Sequence, residues 1–209
     1  MKLIRKYLDE NQFIKRKYKK TLIVLHHTVS SNFNSVYYAW QQSKERIGTA
    51  YVINKKGVVY ELFPPEYWAY HLGGKSRKED NMKSIGIELV NEGPLEKNKD
   101  EYYWFNGQLE YEGEVSETSE WKGHKYWAKY TDEQYESLAE LIKVLCSKFN
   151  IPDVVQASHN YNFDLLENFK GIISHCNVRE DKTDISKAFN FNKLMNYLCR
   201  KSRTRSDLI

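Results

Sequence analysis

The stretch GIISHCNVREDKTD, residues 171–184, starts with an apolar run and ends in a polar segment. It places His175, Lys182 and Asp184 close together along the chain. The apolar run predicts a short strand over residues 171–175, with the histidine at its carboxyl end. The whole stretch can therefore deliver two metal ligands and a cation to one place in the fold.

The stretch LIVLHHT, residues 22–28, is the second informative segment. Its apolar run lacks polar alternation, which predicts a strand over residues 21–26 that is buried on both faces and central in its sheet. The run ends in His26 and His27. Because successive side chains of a strand point to opposite faces, only one of these imidazoles can face a site at the strand end.

Two histidines and an aspartate from distant segments form a ligand set that is typical of catalytic zinc, with a fourth position left for water. From the residues alone, the aspartate position can be filled by Asp184 or Asp181, or taken by Cys176. Cys176 follows His175 in the predicted strand and should point away from it, toward the core. The constellation indicates a zinc hydrolase.

Three segments together resemble the zinc-dependent N-acetylmuramoyl-L-alanine amidases. This type 2 amidase family includes phage endolysins, bacterial amidases and peptidoglycan recognition proteins. The segments are LIVLHHT (22–28), WAYHLGGKSRKEDNMKSIGIEL (68–89) and the stretch 171–184, and the resemblance spans about residues 20–195. It implies hydrolysis of the amide between N-acetylmuramic acid and L-alanine in peptidoglycan. The alternative is a peptidoglycan-binding recognition module without catalysis.

The resemblance also assigns the zinc ligands. The family uses the first histidine of its pair, which corresponds to His26, and His27 is then a packing residue. The other ligands correspond to His175 and to Asp184 in the ending Lys-Thr-Asp. The loop before that ending is one residue shorter than in the recycling amidases, so Asp181 stays an alternative for the third ligand.

Three further residues receive roles from the resemblance. Glu88, in a strand predicted over residues 84–91, corresponds to the glutamate that transfers protons, and burial would raise its pKa into a useful range. Lys182 corresponds to the lysine that stabilises the oxyanion. His71 corresponds to a histidine that contacts the substrate or the transition state. A tyrosine-assisted mechanism is not expected, because Thr49 stands where phage amidase-type lysozymes place a tyrosine after a glycine.

The alternation of strand and helix patterns predicts an α/β fold. With the resemblance, we expect a mixed central β-sheet flanked by helices, in the type 2 amidase fold, with zinc in a surface groove. The first 20 residues are expected to be a short helix or an arm. The other predicted elements are strands over residues 21–26, 49–54, 58–63, 84–91 and 171–175, and helices over residues 33–46, 131–150 and 185–200.

One domain is predicted over residues 1–209, with a core over about residues 20–200 and an acidic, aromatic insertion over about residues 92–130. Within the insertion, YYWFNGQL (102–109) predicts a hairpin that turns at Asn-Gly. Trp104, Trp121 and Trp127 are candidates for stacking on sugar rings, although packing of these aromatic residues against each other is the favoured interpretation.

Composition adds the remaining expectations. The net charge of +4 is mild, and basic runs near residues 5–20 and 200–205 are interpreted as solvated faces, so no nucleic-acid partner is expected. Peptidoglycan or muropeptides are the expected partners of a monomer that does not bind membranes. Three cysteines without a disulfide spacing predict reduced thiols. No signal peptide is recognised, so synthesis in the cytoplasm is expected, with action on the cell wall after delivery or on cytoplasmic muropeptides.

Overall fold

The computed structural model describes residues 1–200, so most of the predicted basic run at 200–205 lies outside the described residues. Strands and helices are interspersed along the described part of the chain. The strands are β1 (Lys2–Arg5), β2 (Leu22–His27), β3 (Tyr51–Ile53), β4 (Val58–Glu61), β5 (Ser84–Leu89), β6 (Pro94–Asn98), β7 (Glu101–Trp104), β8 (Leu109–Glu110), β9 (Val115–Trp121), β10 (His124–Ala128) and β11 (Gly171–Ser174). The helices are α1 (Phe33–Gln41), α2 (Lys78–Lys83), α3 (Asp132–Phe149), α4 (Leu165–Asn168), α5 (His175–Val178) and α6 (Phe191–Cys199).

The central sheet has six strands in the order β1-β4-β3-β5-β2-β11. Only the β3–β4 hairpin is antiparallel, and the other neighbouring pairs are parallel, which makes the sheet mixed. Strand β2 lies between β5 and β11 and is buried along its whole length, as its uninterrupted apolar run predicted. The predicted mixed α/β fold is confirmed.

Alternation along β2 sends its side chains into two separate cores. Ile23 and Leu25 join the large cluster that contains the apolar face of α3. Leu22 and Val24 join a second cluster with Leu72 and α4. By the same alternation the two histidines at the end of β2 must face opposite sides of the sheet.

Helix α3 begins and ends as predicted. The hydroxyl of Thr131 accepts a hydrogen bond from the Gln134 backbone N–H at 3.2 Å, and the Gln134 side chain accepts from the Thr131 N–H at 3.1 Å. This reciprocal capping satisfies backbone donors that a helix start leaves unpaired. Asn150 ends the helix in the left-handed conformation, with φ of 53°.

The insertion forms a second, antiparallel sheet in the order β8-β7-β6-β10-β9. The predicted hairpin is present as β7–β8, and its turn contains Asn106 and Gly107 at φ of 55° and 74°. The sheet is larger than the small hairpin that the sequence suggested. It is tied to the end of β5 through Asn91, whose side-chain amide donates to the Ala128 carbonyl at 3.0 Å.

Several elements differ from prediction. Helix α2 was not predicted, because its sequence KEDNMK is short and has no apolar periodicity. The expected short helix or arm at the start contains strand β1, which pairs with β4. The predicted helices 33–46 and 185–200 are shorter, ending at Gln41 and beginning at Phe191. In the second case the Asn190 side chain caps the helix start by accepting from the Lys193 N–H at 2.9 Å.

Two global expectations bear on the site. All three cysteines are free thiols, as predicted. Among the described residues, none of the helices has the length and apolar character needed to cross a membrane. The assignment of the chain to one domain stays a prediction.

Candidate functional site

The candidate site lies where the carboxyl ends of three parallel strands meet. Strands β11, β2 and β5 are parallel neighbours, and this edge of an open α/β sheet is where ligands usually bind. His26 near the end of β2 is the register partner of Glu88 near the end of β5. His175 directly follows β11 but begins the short helix α5, so it is not the last strand residue that the sequence suggested.

Three donor atoms converge at this edge. His26 Nδ1 lies 3.1 Å from His175 Nδ1, and Asp184 Oδ2 lies 3.0 Å from the first nitrogen and 2.9 Å from the second. All three side chains are buried, and together they could hold a metal ion. The sequence had singled out these three residues as candidate ligands.

The hydrogen bond at the far side of His175 fixes which nitrogen faces the group. Its Nε2 lies 2.8 Å from the Leu72 carbonyl oxygen. A carbonyl can only accept, so Nε2 carries the proton, and in the neutral ring Nδ1 presents a lone pair.

A longer chain of hydrogen bonds fixes His26 in the same way. The Ser84 hydroxyl donates to the Asp80 carbonyl at 2.7 Å, so it must accept from His71 Nε2 at 2.9 Å. His71 Nδ1 is then an acceptor and receives the proton of His26 Nε2 at 3.0 Å. His26 Nδ1 therefore also presents a lone pair to the three-atom group.

Two lone pairs and a carboxylate oxygen about 3 Å apart repel each other unless a cation lies between them. A proton is a poor candidate, because burial lowers the pKa of His26 to about 4. Two imidazole nitrogens and one carboxylate oxygen form a ligand set that fits a zinc-type cation.

The structure distinguishes between the alternatives for the third position. Asp181 is exposed, and its carboxylate accepts from Arg179 Nε at 2.8 Å and Nη2 at 3.0 Å. Cys176 is buried with its Sγ 3.7 Å from the Ile185 carbonyl oxygen, in the core as expected. Only Asp184 among these three reaches the two histidines.

His27 faces the other side of the sheet. Its Nδ1 lies 2.9 Å from the hydroxyl of Tyr130, and the side chain is buried. Alternation along β2 thus separates the two histidines, with His26 in the group and His27 in a packing environment.

Glu88 lines the same cavity. Its Oε2 is buried and has no hydrogen-bond partner in the described part of the chain. Burial, and then the charge of Asp184, raise the pKa of Glu88 well above its usual range, while Lys182 acts in the opposite direction. A buried carboxyl group with a raised pKa in a cleft is a candidate for proton transfer.

The cavity around the group has a volume of about 590 Å³ and brings together every residue to which the sequence assigned a role. These residues are His26, His71, Glu88, His175, Lys182 and Asp184. The prediction of a direct substrate contact for His71 remains untested, but both of its ring nitrogens are already hydrogen-bonded within the protein.

Sequence reasoning missed the supports of the site. Ser84 and the Asp80 carbonyl complete the chain behind His71, and nothing in the sequence marks them. Lys122, in the turn between β9 and β10, was also missed. Its ammonium donates to the Glu180 carbonyl at 2.6 Å and to the Lys182 carbonyl, bracing the loop that precedes Asp184.

Comparison with known proteins agrees with the geometry. The family model of the N-acetylmuramoyl-L-alanine amidases, Amidase_2, matches residues 16–187. No curated protein sequence matches the chain.

Solved structures with this fold include three amidases or endolysins. The N-acetylmuramoyl-L-alanine amidase LysC from Clostridium intestinale URNW is 18% identical with a TM-score of 0.53, and the match covers 96% of this chain and 99% of that one. A mutant endolysin from Bacillus subtilis is 15% identical with a TM-score of 0.57, covering 95% and 99%. The amidase AmiD from E.coli, in complex with the substrate anhydro-N-acetylmuramic acid-L-Ala-D-gamma-Glu-L-Lys, is 20% identical with a TM-score of 0.56, covering 88% and 59%. At these identities the likeness shows a shared fold.

Proposed function

This chain belongs to the Amidase_2 family of N-acetylmuramoyl-L-alanine amidases, and from that premise we propose that it is a zinc-dependent enzyme. It hydrolyses the amide between the lactyl group of N-acetylmuramic acid and L-alanine, and so detaches stem peptides from glycan. Its substrates are peptidoglycan or muropeptides. The observation that carries the proposal is the buried Glu88 Oε2, which has no hydrogen-bond partner among the described residues, in one cavity with the His26, His175 and Asp184 group.

His26 Nδ1, His175 Nδ1 and Asp184 Oδ2, the three atoms that converge, would hold the ion. Zinc bound there would supply Lewis acidity for an amide carbonyl and for a water molecule. His71 and the Leu72 carbonyl keep both imidazoles in the tautomer that this role needs.

Glu88 moves the proton. As a carboxylate it accepts a proton from the attacking water, whose oxygen bonds to the carbonyl carbon. As a carboxylic acid it then donates that proton to the alanine nitrogen while the carbon–nitrogen bond breaks. Burial raises the pKa of Glu88 well above its usual range, so the carboxylic acid form is less disfavoured than in an exposed glutamate, as proton donation requires.

Lys182 stabilises the charge that develops on the carbonyl oxygen. It lines the cavity, and its charge acts on the pKa values of both Glu88 and His27, so it lies within electrostatic reach of the reacting groups. A fixed cation at a developing oxyanion is often a large contribution to acyl-transfer catalysis. The Lys122 contacts to the loop backbone support this position.

The test is mass spectrometry of muropeptides after incubation with the purified protein, with and without zinc. Free stem peptides with an N-terminal alanine, and sugars without peptide, are expected from the zinc-loaded protein. His175→Ala should remove the activity, and Asp181→Ala serves as the control because Asp181 contacts Arg179 outside the group. Intact muropeptides in every reaction, together with retained peptidoglycan binding, would show that the protein is a recognition module and not an amidase.

A further inference from the structure

A second cavity, of about 520 Å³, adjoins the cavity of the metal group. The two share Thr28, Val29, Trp40 and Glu88 in their linings, so they form one continuous groove. The far wall of the second cavity is the tip of the β7–β8 hairpin, formed by Trp104, Phe105 and Leu109. We call this second space the hairpin cavity.

Two aromatic residues of the hairpin tip, Trp104 and Phe105, border the groove, and Trp104 also packs against the small core of the insertion. Trp127 is fully buried, and Trp121 packs against it with ring centroids 5.7 Å apart. Trp104 is half-buried beside Phe105, whose exposed fraction is 54%. Of the three tryptophans considered from the sequence, only Trp104 borders the groove.

The backbone of the tip carries a second indication. Phe105 has φ of 54°, in the left-handed region that disfavours bulky residues. Glycine or asparagine would adopt this turn with less strain. A large aromatic ring is thus presented beside the cavity at a conformational cost, which is a pattern found at ligand-binding positions.

The polar lining of the hairpin cavity is almost uncharged. Four hydroxyl groups line it, from Thr28, Ser30, Ser31 and Ser35, and among the described residues Glu88 is its one charged lining residue. The cationic residues near the groove line other cavities. Lys182 and Arg179 line the metal cavity, and Lys75 lines a third cavity that shares no residue with the hairpin cavity.

The residues that line the hairpin cavity favour the sugar part of the substrate over its stem peptide. A stem peptide with a γ-linked glutamate, such as the one bound to AmiD, has a free carboxylate, which Glu88 would repel and which no cation of the hairpin cavity would pair. A pyranose ring instead offers an apolar face for an aromatic ring and hydroxyl or amide groups for serine and threonine hydroxyls. The uncharged, aromatic and hydroxyl-lined cavity therefore fits sugar.

We propose that the hairpin cavity is a glycan subsite, in which Trp104, Phe105 and Trp40 contact the sugar next to the muramic acid that carries the scissile amide. This inference rests on the proposed amidase function. It gives the 92–130 insertion a role in substrate selection, because a muramic acid with a neighbouring sugar gains contacts that a single muramic acid does not.

The first experiment compares two soluble substrates that carry the same stem peptide, one on N-acetylmuramic acid alone and one on the disaccharide of N-acetylglucosamine and N-acetylmuramic acid. Trp104→Ala should lower kcat/KM for the disaccharide substrate by about 10-fold, the size expected for loss of one aromatic contact. The value for the single-sugar substrate should stay within about 2-fold. Tyr103→Ala is the matched control, because this tyrosine is the next residue on the same strand and does not line the groove.

An equal loss on both substrates, or no loss on either, would overturn the subsite. A second measurement separates this failure from failure of the amidase proposal. Binding of the peptide-free disaccharide and of the free stem peptide is titrated by calorimetry, which requires no turnover. The subsite predicts that Trp104→Ala and Phe105→Ala weaken binding of the disaccharide and leave binding of the peptide unchanged. The reverse result would assign the hairpin cavity to the peptide.

Discussion

His26 Nε2 lies 3.0 Å from His71 Nδ1, and this contact joins the candidate metal group to a chain of hydrogen bonds that ends at the Asp80 carbonyl. The Ser84 hydroxyl gives its proton to this carbonyl and so accepts from His71, and the roles of the other ring nitrogens follow from that donation. The chain therefore dictates that His26 offers Nδ1 to the group. His71 is half-buried between His26 and Ser84, so its first role in our interpretation is to orient a ligand.

Replacement of His71 should weaken metal binding. His71→Ala removes the acceptor of the His26 Nε2 proton, so the ring is free to rotate and to change tautomer. We expect zinc affinity to fall by about 10- to 100-fold, the usual effect of losing such a support. Competition with a chromophoric chelator measures this without turnover.

Two variants give this measurement its meaning. His71→Gln should recover part of the affinity, because its amide oxygen can accept from His26 and its amide nitrogen can donate to Ser84. His124→Ala is the control, since that histidine lies in β10 against Trp127. Unchanged zinc affinity in His71→Ala would show that the hydrogen-bond chain does not position His26.

Gly86 packs closely against Thr49 and His71, where a larger side chain would not fit. A Cβ atom built on Gly86 lies 2.6 Å from Thr49 Cγ2 and 3.1 Å from His71 Nδ1. Gly86→Ala should therefore lower the free energy of unfolding by about 1–3 kcal/mol, the usual cost of overpacking, and should also weaken zinc binding. Thr49→Ser removes the closer methyl group and should recover part of the stability in the double variant. Additive effects of the two substitutions in thermal unfolding would contradict this contact.

Lys122 connects the insertion to the loop that carries Lys182 and Asp184. Lys122→Met removes the donor to two loop carbonyls, so the loop should lose order and kcat should fall by about 10-fold, a typical cost of small misplacement of reacting groups. Hydrogen exchange in residues 179–184 should become faster. Lys125→Met is the matched control, because Lys125 pairs with Glu117 on the exposed face of the insertion. Equal kcat and equal hydrogen exchange in Lys122→Met and Lys125→Met would show that Lys122 does not brace the loop.

The sequence alone reduced the candidate ligands to two short segments, but the choice of Asp184 over Asp181 needed the family resemblance or the structure. His175 and Asp184 are nine residues apart in one motif, and the apolar run of β2 placed a histidine at a strand end. The choice between His26 and His27 needed either the family resemblance or the packing of β2, because alternation alone does not say which face holds the site. In the structure, Ile23 and Leu25 pack against α3, so His27 faces the same side and His26 faces the side that holds the site.

The remaining features depend on contacts between segments that are far apart in the chain. The His71 to Ser84 contact, the Lys122 contacts and the presence of Trp104 and Glu88 in one cavity lining each require two or three separate elements to meet. Local sequence patterns do not show which distant segments of the chain come into contact. The second sheet was underestimated for a related reason, since its strands are short and their charged residues hide the apolar alternation.

Glu88 should reduce stability while it supports catalysis, and pH should separate the two effects. In the unfolded chain its pKa is near the ordinary 4.5, and in the folded protein burial raises it well above that value. The charged form is therefore disfavoured by folding, so the stability cost is complete above the raised pKa and absent below about 4.5. Glu88→Gln should raise the melting temperature of the metal-free protein at neutral pH by several degrees, since about 1 kcal/mol corresponds to 2–4 °C in a domain of this size.

The same variant should lose activity. Without an ionisable carboxyl group, kcat should fall by about 10²- to 10⁴-fold, the usual contribution of a general base. In the unsubstituted protein kcat/KM should decline as pH falls through the raised pKa, because the base must be ionised to accept a proton. Thermal unfolding in chelator from pH 4 to pH 8, beside the pH profile of hydrolysis, measures both effects.

The stability gain of Glu88→Gln should vanish at the acidic end, and a gain that is independent of pH would mean that charge burial is not its cause. Glu92→Gln is the control, because Glu92 is also a buried acid but is paired with Lys55 at 2.6 Å, so its substitution should not stabilise the fold.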